Sequence, residues 1–190
     1  MISALDEATA ERGLAAGTLR CERGGRLRGW GRTRPRAVRG RDGRWSRVRL
    51  RRTRCAGCRR THVVLPAAHL PRRVDHTDTV GAALLAAAQG AGHRRVAADL
   101  DRPVDTVRGW LRRFRDQSEL LRGVATRLAV SLDPRFKPER PQPTPLADAV
   151  AALGAAAASV VRRLGARSSL VWQIIVMITG GRLLSSGPGS

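Results

Sequence analysis

The chain has 190 residues, with 36 Lys and Arg against 15 Asp and Glu, a formal net charge of +21. That length gives one ordinary domain or two to three small ones, and so large an unpaired positive charge points to a polyanionic partner. Three Cys exclude an evenly paired secreted disulfide framework, and Asp6 and Glu7 interrupt any N-terminal signal peptide. The longest strongly apolar run, residues 170–178, is about half the ~20 residues a membrane span needs, so the expected setting is cytoplasmic with no membrane association.

Residues 1–19 read as a mildly amphipathic segment with a short helix. Residues 20–66 are an Arg-rich, zinc-ribbon-like segment, in which seventeen Arg between positions 20 and 60 face only Glu22 and Asp42. Lys137 is the sole Lys; codon usage accounts for Arg over Lys but not for the excess of charge. Gly40-Arg41-Asp42-Gly43 is a turn signal between two candidate strands. Across residues 45–52 a period of two puts Val48 and Leu50 on one face and Arg47, Arg49 and Arg51 on the other. One face can pack, while the other offers guanidinium groups to a phosphate backbone.

Residues 67–132 read as helical, a helix-turn-helix domain opening on a stripe of Val80, Ala83, Leu84 and Ala87 capped by Thr77 or Asp78. Residues 133–146 hold five of the ten prolines, which predicts a stiff, extended linker and a domain boundary. Residues 147–184 carry two C-terminal helices, one with apolar residues recurring from Leu146 to Leu164, the other over residues 170–178 and stopped by Gly180-Gly181. Residues 185–190 are a tail. The expected class is α+β, mainly α: a small zinc-ribbon-like β-hairpin segment, then a helix-turn-helix bundle, then a C-terminal helical pair.

The most specific segment is HRRVAADLDRPVDTVRGWLRRF, residues 93–114. A helix-turn-helix needs apolar anchors on both helices and a small residue where they cross. Val96, Ala97 and Leu100 fit the first helix, with Ala97 at the crossing, and Val107, Trp110, Leu111 and Phe114 fit the second. Asp101-Arg102-Pro103 forms the turn, with Asp101 where Gly is common and Pro103 suited to the first helical position. The outward side of the second helix then carries Thr106, Arg108, Gly109 and Arg112 as candidate base contacts. Arg108 suits a bidentate contact to guanine and Thr106 a thymine methyl, and Gly109 permits close approach. Arg94, Arg95, Arg102 and Arg113, with Arg47, Arg49 and Arg51, are expected at phosphates, where they position without specifying.

Cys55-Ala56-Gly57-Cys58 has the spacing of half a zinc site, because a two-residue gap lets both thiolates face one ion. Upstream only Cys21 is present; in Cys21-Glu22-Arg23-Gly24 the paired position is Gly24, which has no ligand atom. His62 is the candidate fourth ligand, with His69 and His76 as weaker ones. The expected role is a structural zinc that holds an Arg-rich hairpin with little core of its own.

The order of Cys21, Arg-rich hairpin, CAGCRRTHVVLP and RRVAADLDRPVDTVRGWLRRF resembles small actinobacterial proteins of unknown function that join a zinc-ribbon-like segment to a helix-turn-helix. These are related to the DNA-binding arms of transposases. The resemblance spans roughly residues 20–132 and loosely WQIIVMITGGRLL, and it implies double-stranded DNA as partner and four ribbon cysteines where this chain has three. A complete transposase would need three carboxylates on a mixed sheet around two magnesium ions. Beyond residue 115 the acids are Asp116, Glu119, Asp133, Glu139 and Asp148, on expected helices or the Pro-rich segment, so the chain is read as non-enzymatic.

The functional expectation is a DNA-binding protein, a transcriptional regulator or the DNA-binding component of a transposase-like mobile element. The alternative is an RNA- or ribosome-associated zinc-ribbon protein, against which stands a scarcity of stacking platforms, Trp30 and Trp45 alone. The C-terminal helices either fold back within the chain or serve a homodimer, which would set two recognition helices on successive half-sites.

Overall fold

In the computed structural model, which describes residues 2–138, 140–165 and 170–185, the protein is α+β. The tail beyond Ser185 and Glu139 of the Pro-rich segment lie outside the described residues. The chain forms two compact units, residues 1–76 and 77–190.

The first unit opens with β1 (Ile2–Ala4) and α1 (Glu7–Ala15), whose start is capped by the Asp6 carboxylate accepting from the Thr9 amide at 2.6 Å. Then come β2 (Leu27–Arg32), β3 (Arg36–Arg39), β4 (Trp45–Val48), β5 (Arg51–Cys55) and β6 (Thr61–Pro66). The larger sheet runs β1-β6-β5-β2, with β1 parallel to β6 and the other pairs antiparallel. The β3–β4 hairpin turns at Gly40–Gly43, with Gly43 at φ 79°, as its sequence predicts. Residues 1–19 are therefore an edge strand and a packed helix of this unit rather than a separate segment. A three-residue strand is too short to show a period.

The expected continuous strand over residues 45–52 does not form. It breaks after Val48 and resumes at Arg51, because Leu50 turns inward and is 7% exposed while its N–H donates to Thr33 Oγ1 at 3.0 Å. The boundary expected at residue 66 lies instead after His76. Residues 67–76 stay with the sheets: the Val74 carbonyl accepts from the Arg39 amide, and buried Asp75 accepts from Arg39 Nε at 3.0 Å.

The second unit is helical: α2 (Thr77–Ala88), α3 (His93–Asp99), α4 (Val104–Arg115), α5 (Ser118–Leu132), α6 (Pro145–Leu164) and α7 (Val171–Ile178). Helix α2 is the hub, touching α3, α4, α6 and α7, and its Ala-rich sequence is apolar nearly all round, as a central helix requires. Trp110, Phe114, Leu84, Leu111, Leu153, Ile175 and Leu183 are fully buried.

The Pro-rich segment is not a domain boundary. It reverses the chain so that α6 packs antiparallel along α5, and Phe136, Pro138 and Pro141 pack beside Arg122 and Asp148, themselves 3.6 Å apart. Small side chains at Ala125, Ala129, Ala149, Ala156 and Ala157 allow that close approach. By length and composition α6 is the one described helix apolar enough to cross a bilayer. Its apolar face lies against α5, α2 and α7, which accounts for that composition within the fold. Helix α7 likewise packs inward on α6 and α2, so both C-terminal helices fold back on their own unit, and α7 is followed by Gly180 and Gly181 with φ of 59° and 77°.

Candidate nucleic-acid interface and metal site

Helices α3 and α4 meet as the anchors dictate. Val96 and Ala97 of α3 and Val107, Trp110, Leu111 and Phe114 of α4 are all 2% exposed or less. The end of α3 is a Schellman closure: the Arg102 amide donates to the Ala97 carbonyl at 2.9 Å and the Asp101 amide to Ala98 at 3.1 Å. Asp101 takes the left-handed position with φ 51°, so the residue where Gly is common adopts the backbone a Gly would. Pro103 caps α4 from just outside rather than at its first helical position.

Arg108 and Arg112 of α4 are exposed, and Thr106, Gly109 and Arg113 are half-buried. Arg108 Nη2 lies 2.9 Å from Asp105 Oδ1, with both side chains well over half exposed. A surface pair of this kind is worth ~0.3–0.5 kcal/mol, less than a bidentate base contact at ~1–3 kcal/mol, so a better acceptor can replace the carboxylate. Arg113 folds back to donate to the Gly109 carbonyl at 3.0 Å. Asp105, Arg108, Gly109, Arg112 and Arg113 together line a shallow depression on this face. Arg94 and Arg95 are exposed on α3, Arg95 3.8 Å from Asp99.

Arg102 is a correction. It is 6% exposed, not solvent-facing, and its Nη1 donates to the carbonyls of Leu100 and Asp101 at 2.8 and 2.9 Å. It caps carbonyls orphaned at the end of α3 and is withdrawn from any phosphate.

In the first unit Arg47 and Arg49 are exposed. They share a concave surface with Arg32 and Arg51 despite the broken strand. Arg51 is corrected from a free guanidinium: its Nε is 3.1 Å from Glu11 Oε1, as Arg32 Nη2 is 2.5 Å from Glu7 Oε1. The acids of α1 partly neutralise this rim, and nothing in the spacing of residues 1–19 shows which Arg they would meet. Trp30 and Trp45 are 51% and 59% exposed, each under a guanidinium, Arg54 at 4.7 Å and Arg39 at 5.3 Å from the ring centroid.

Cys21, Cys55 and Cys58 converge, their sulfurs all within 4.8 Å of one another, with Cys21 Sγ 3.4 Å from Cys55 Sγ and 4.0 Å from Cys58 Sγ. The Cys58 N–H donates to Cys55 Sγ at 3.4 Å, the largest of several hydrogen bonds, with those of Cys21 and the Gly57 amide, that lower the Cys55 thiol to about 7 against the effect of burial. A Cβ on Gly25 would lie 2.4 Å from Cys55 Sγ, so this Gly keeps the space beside the sulfurs clear. Three thiols at these distances are a donor set that suits a thiophilic ion.

His62 is corrected as the fourth ligand. It lies on β6 opposite Thr53, outside the sulfur cluster, with its Nε2 buried and without a hydrogen-bond partner. His69 and His76 instead meet each other edge to face at 4.9 Å.

Residues 20–110 match the model of a domain of unknown function, DUF6431. The match opens beside Cys21 and closes on Trp110, so DUF6431 takes in the three-cysteine cluster and most of the helix-turn-helix across both units. No curated protein and no solved structure matches the chain.

Proposed function

We propose that the protein binds double-stranded DNA through α4 and does not itself catalyse a reaction. The reading rests on one observation above all: Arg108 and Arg112 stand exposed on the side of α4 opposite its buried Trp110 and Phe114. Such a helix can lie in a major groove with its guanidinium groups at base edges. Arg94, Arg95 and Arg113 border that face, and Arg47 and Arg49 of the first unit are taken separately as phosphate contacts, where attraction is sequence-independent. A cytoplasmic transcriptional regulator and the DNA-binding component of a transposase-like mobile element both fit, and a structural zinc on Cys21, Cys55 and Cys58 would brace the Arg-rich unit.

Selection of bound duplexes from a random pool, followed by Arg108→Ala on the selected site, tests this. The substitution should cost ~1–3 kcal/mol on that site and little on random DNA. Equal losses on both would reject base readout by α4.

A second reading has its own support: Trp30 and Trp45 are exposed aromatic platforms bracketed by Arg. Stacking on unpaired bases would make the first unit a single-strand or RNA surface. Tighter binding to structured RNA than to duplex DNA, with Arg108→Ala silent, would favour it.

A further inference from the structure

The two turns that carry the cysteines are built alike but differ in length. In the second turn the Cys55 amide donates to the Arg60 carbonyl at 2.9 Å, the Arg59 amide donates to the Cys55 carbonyl at 3.1 Å, and Arg59 takes φ 58°. In the first turn the Cys21 amide donates to the Gly25 carbonyl at 2.9 Å, the Gly24 amide donates to the Cys21 carbonyl at 2.8 Å, and Gly24 takes φ 78°. By hydrogen bond and by left-handed residue, Gly24 therefore corresponds to Arg59 and Gly25 to Arg60. The residue just before the left-handed one, Cys58 in the second turn, is Arg23 in the first, and the first turn is one residue shorter. This corrects the reading of Gly24 as the lost ligand. Among the described residues no other His, Cys, Asp or Glu joins the three sulfurs. A Cβ at Gly24 would meet nothing within 4 Å, the sulfurs included, while Cys58 is only half-buried, so the cluster is reachable from solvent.

We propose that Cys21, Cys55 and Cys58 hold a thiophilic divalent ion as a three-thiolate site whose fourth position is taken from solution by a small thiol. The proposal rests on the metal reading above and deepens it. Four-coordinate thiolate ligation is what such ions prefer, and a soft donor is the best match to three existing sulfurs. A chain that supplies three leaves one exchangeable position, reachable from solvent beside the half-buried Cys58.

The test uses the full, reduced chain titrated with cobalt(II), then with 2-mercaptoethanol, and reads the sulfur-to-cobalt charge-transfer and d–d absorption bands. The expected result is one cobalt per chain and bands that change saturably as the thiol is added. A second variant, with a Cys inserted between Arg23 and Gly24, should bind zinc at least about tenfold more tightly, and its cobalt bands should no longer respond to the thiol. Cys58→Ser, at the least buried of the three, should lose the bands while far-ultraviolet circular dichroism keeps the helical signal. Cobalt bound with bands indifferent to thiol would overturn the exchangeable position and leave the metal reading standing. No cobalt bound by the reduced chain would overturn both.

Discussion

The two units hold themselves together by different means. In the helical unit, Trp110, Phe114, Leu84, Leu153 and Ile175 are buried around α2, a core of the kind that sustains a domain unaided. In the sheet unit the buried apolar residues are fewer and lack a Trp or Phe: Cys21, Leu27 and Cys55 form one group, Ala4, Ala10 and Val64 another, and Val38, Leu50, Leu65 and Leu70 are buried besides. Seventeen Arg between residues 20 and 60 add self-repulsion. The comparison teaches that the cysteines are placed where core is scarce, so one group of side chains bears on both stability and ligand chemistry.

The sharpest way to break that comparison is to remove the metal. A bound structural zinc contributes on the order of 10 kcal/mol to folding, more than a thin core can replace. A chelator, or Cys55→Ser, should strip amide-exchange protection from β2, β5 and β6 and leave α2 to α7 protected. Equal protection before and after chelation would show that the sheet unit stands without an ion.

Next in size is Gly81→Ala in α2. By helix propensity alone the change should stabilise by ~1 kcal/mol. A Cβ at Gly81, however, would lie 2.1 Å from Cδ2 and 2.4 Å from Cγ of Trp172, so the root of the indole and not just its tip would have to move. An overlap this deep puts the overpacking cost at ~3 kcal/mol, so the clash outweighs the propensity gain and the helical unit loses about 2 kcal/mol. A denaturant midpoint that rises would mean that α7 is held far more loosely than α2 to α4.

This contact also shows where the sequence stopped being legible. Periodicity exposes the anchors of α3 and α4, because Val96, Ala97, Val107, Trp110 and Phe114 announce one buried stripe each. The turn at Gly40–Gly43 and the stop at Gly180-Gly181 are legible because chain reversal needs particular residues. Nothing local marks Gly81 as the seat of Trp172, or Glu7 and Glu11 as partners of Arg32 and Arg51, since those pairings depend on which elements meet. The Pro-rich segment misleads for a related reason: proline stiffness argues for extension, but the interlocking Ala faces of α5 and α6 fold the chain back across it. Convergence of the cysteines is foreseeable from Cys55-x-x-Cys58, whereas the missing turn residue is visible only when two sets of backbone hydrogen bonds are compared.

A pH titration probes the sheet unit by itself. His69 is 8% exposed, and burial, then the charges of His76 and Arg36, lowers its pKa to about 4. It is neutral in the fold between its folded and unfolded values, while the unfolded chain takes up a proton below about 6.5. Stability from this group is therefore complete above pH ~6.5 and lost as pH falls toward 4. Full linkage would be ~3 kcal/mol, reduced to about 1–2 kcal/mol by solvent screening at a partly open site. His69→Leu should flatten the slope of the denaturant midpoint between pH 6.5 and 4 in the sheet unit only. An unchanged slope would move the titration to another group.

The smallest effect expected is at Asp101, and its sign is the informative part. Its left-handed backbone, φ 51°, costs a non-Gly residue ~1 kcal/mol. Its carboxylate sits at the negative end of α3, which is unfavourable, and just before the positive end of α4, which is favourable, so the dipole effects oppose each other. Asp101→Gly relieves the backbone but loosens the unfolded chain by ~0.4–1 kcal/mol. The balance is a gain of about 0.5 kcal/mol, roughly a 2 °C rise in the melting of the helical unit, and no change in the sheet unit. Because Asp101 is exposed beside α4, the same variant removes a negative charge from the proposed groove-facing side and should tighten DNA binding slightly, more at low salt than at high. A loss of stability would show instead that the Asp101 carboxylate helps to set the turn on which the placement of Arg108 and Arg112 depends.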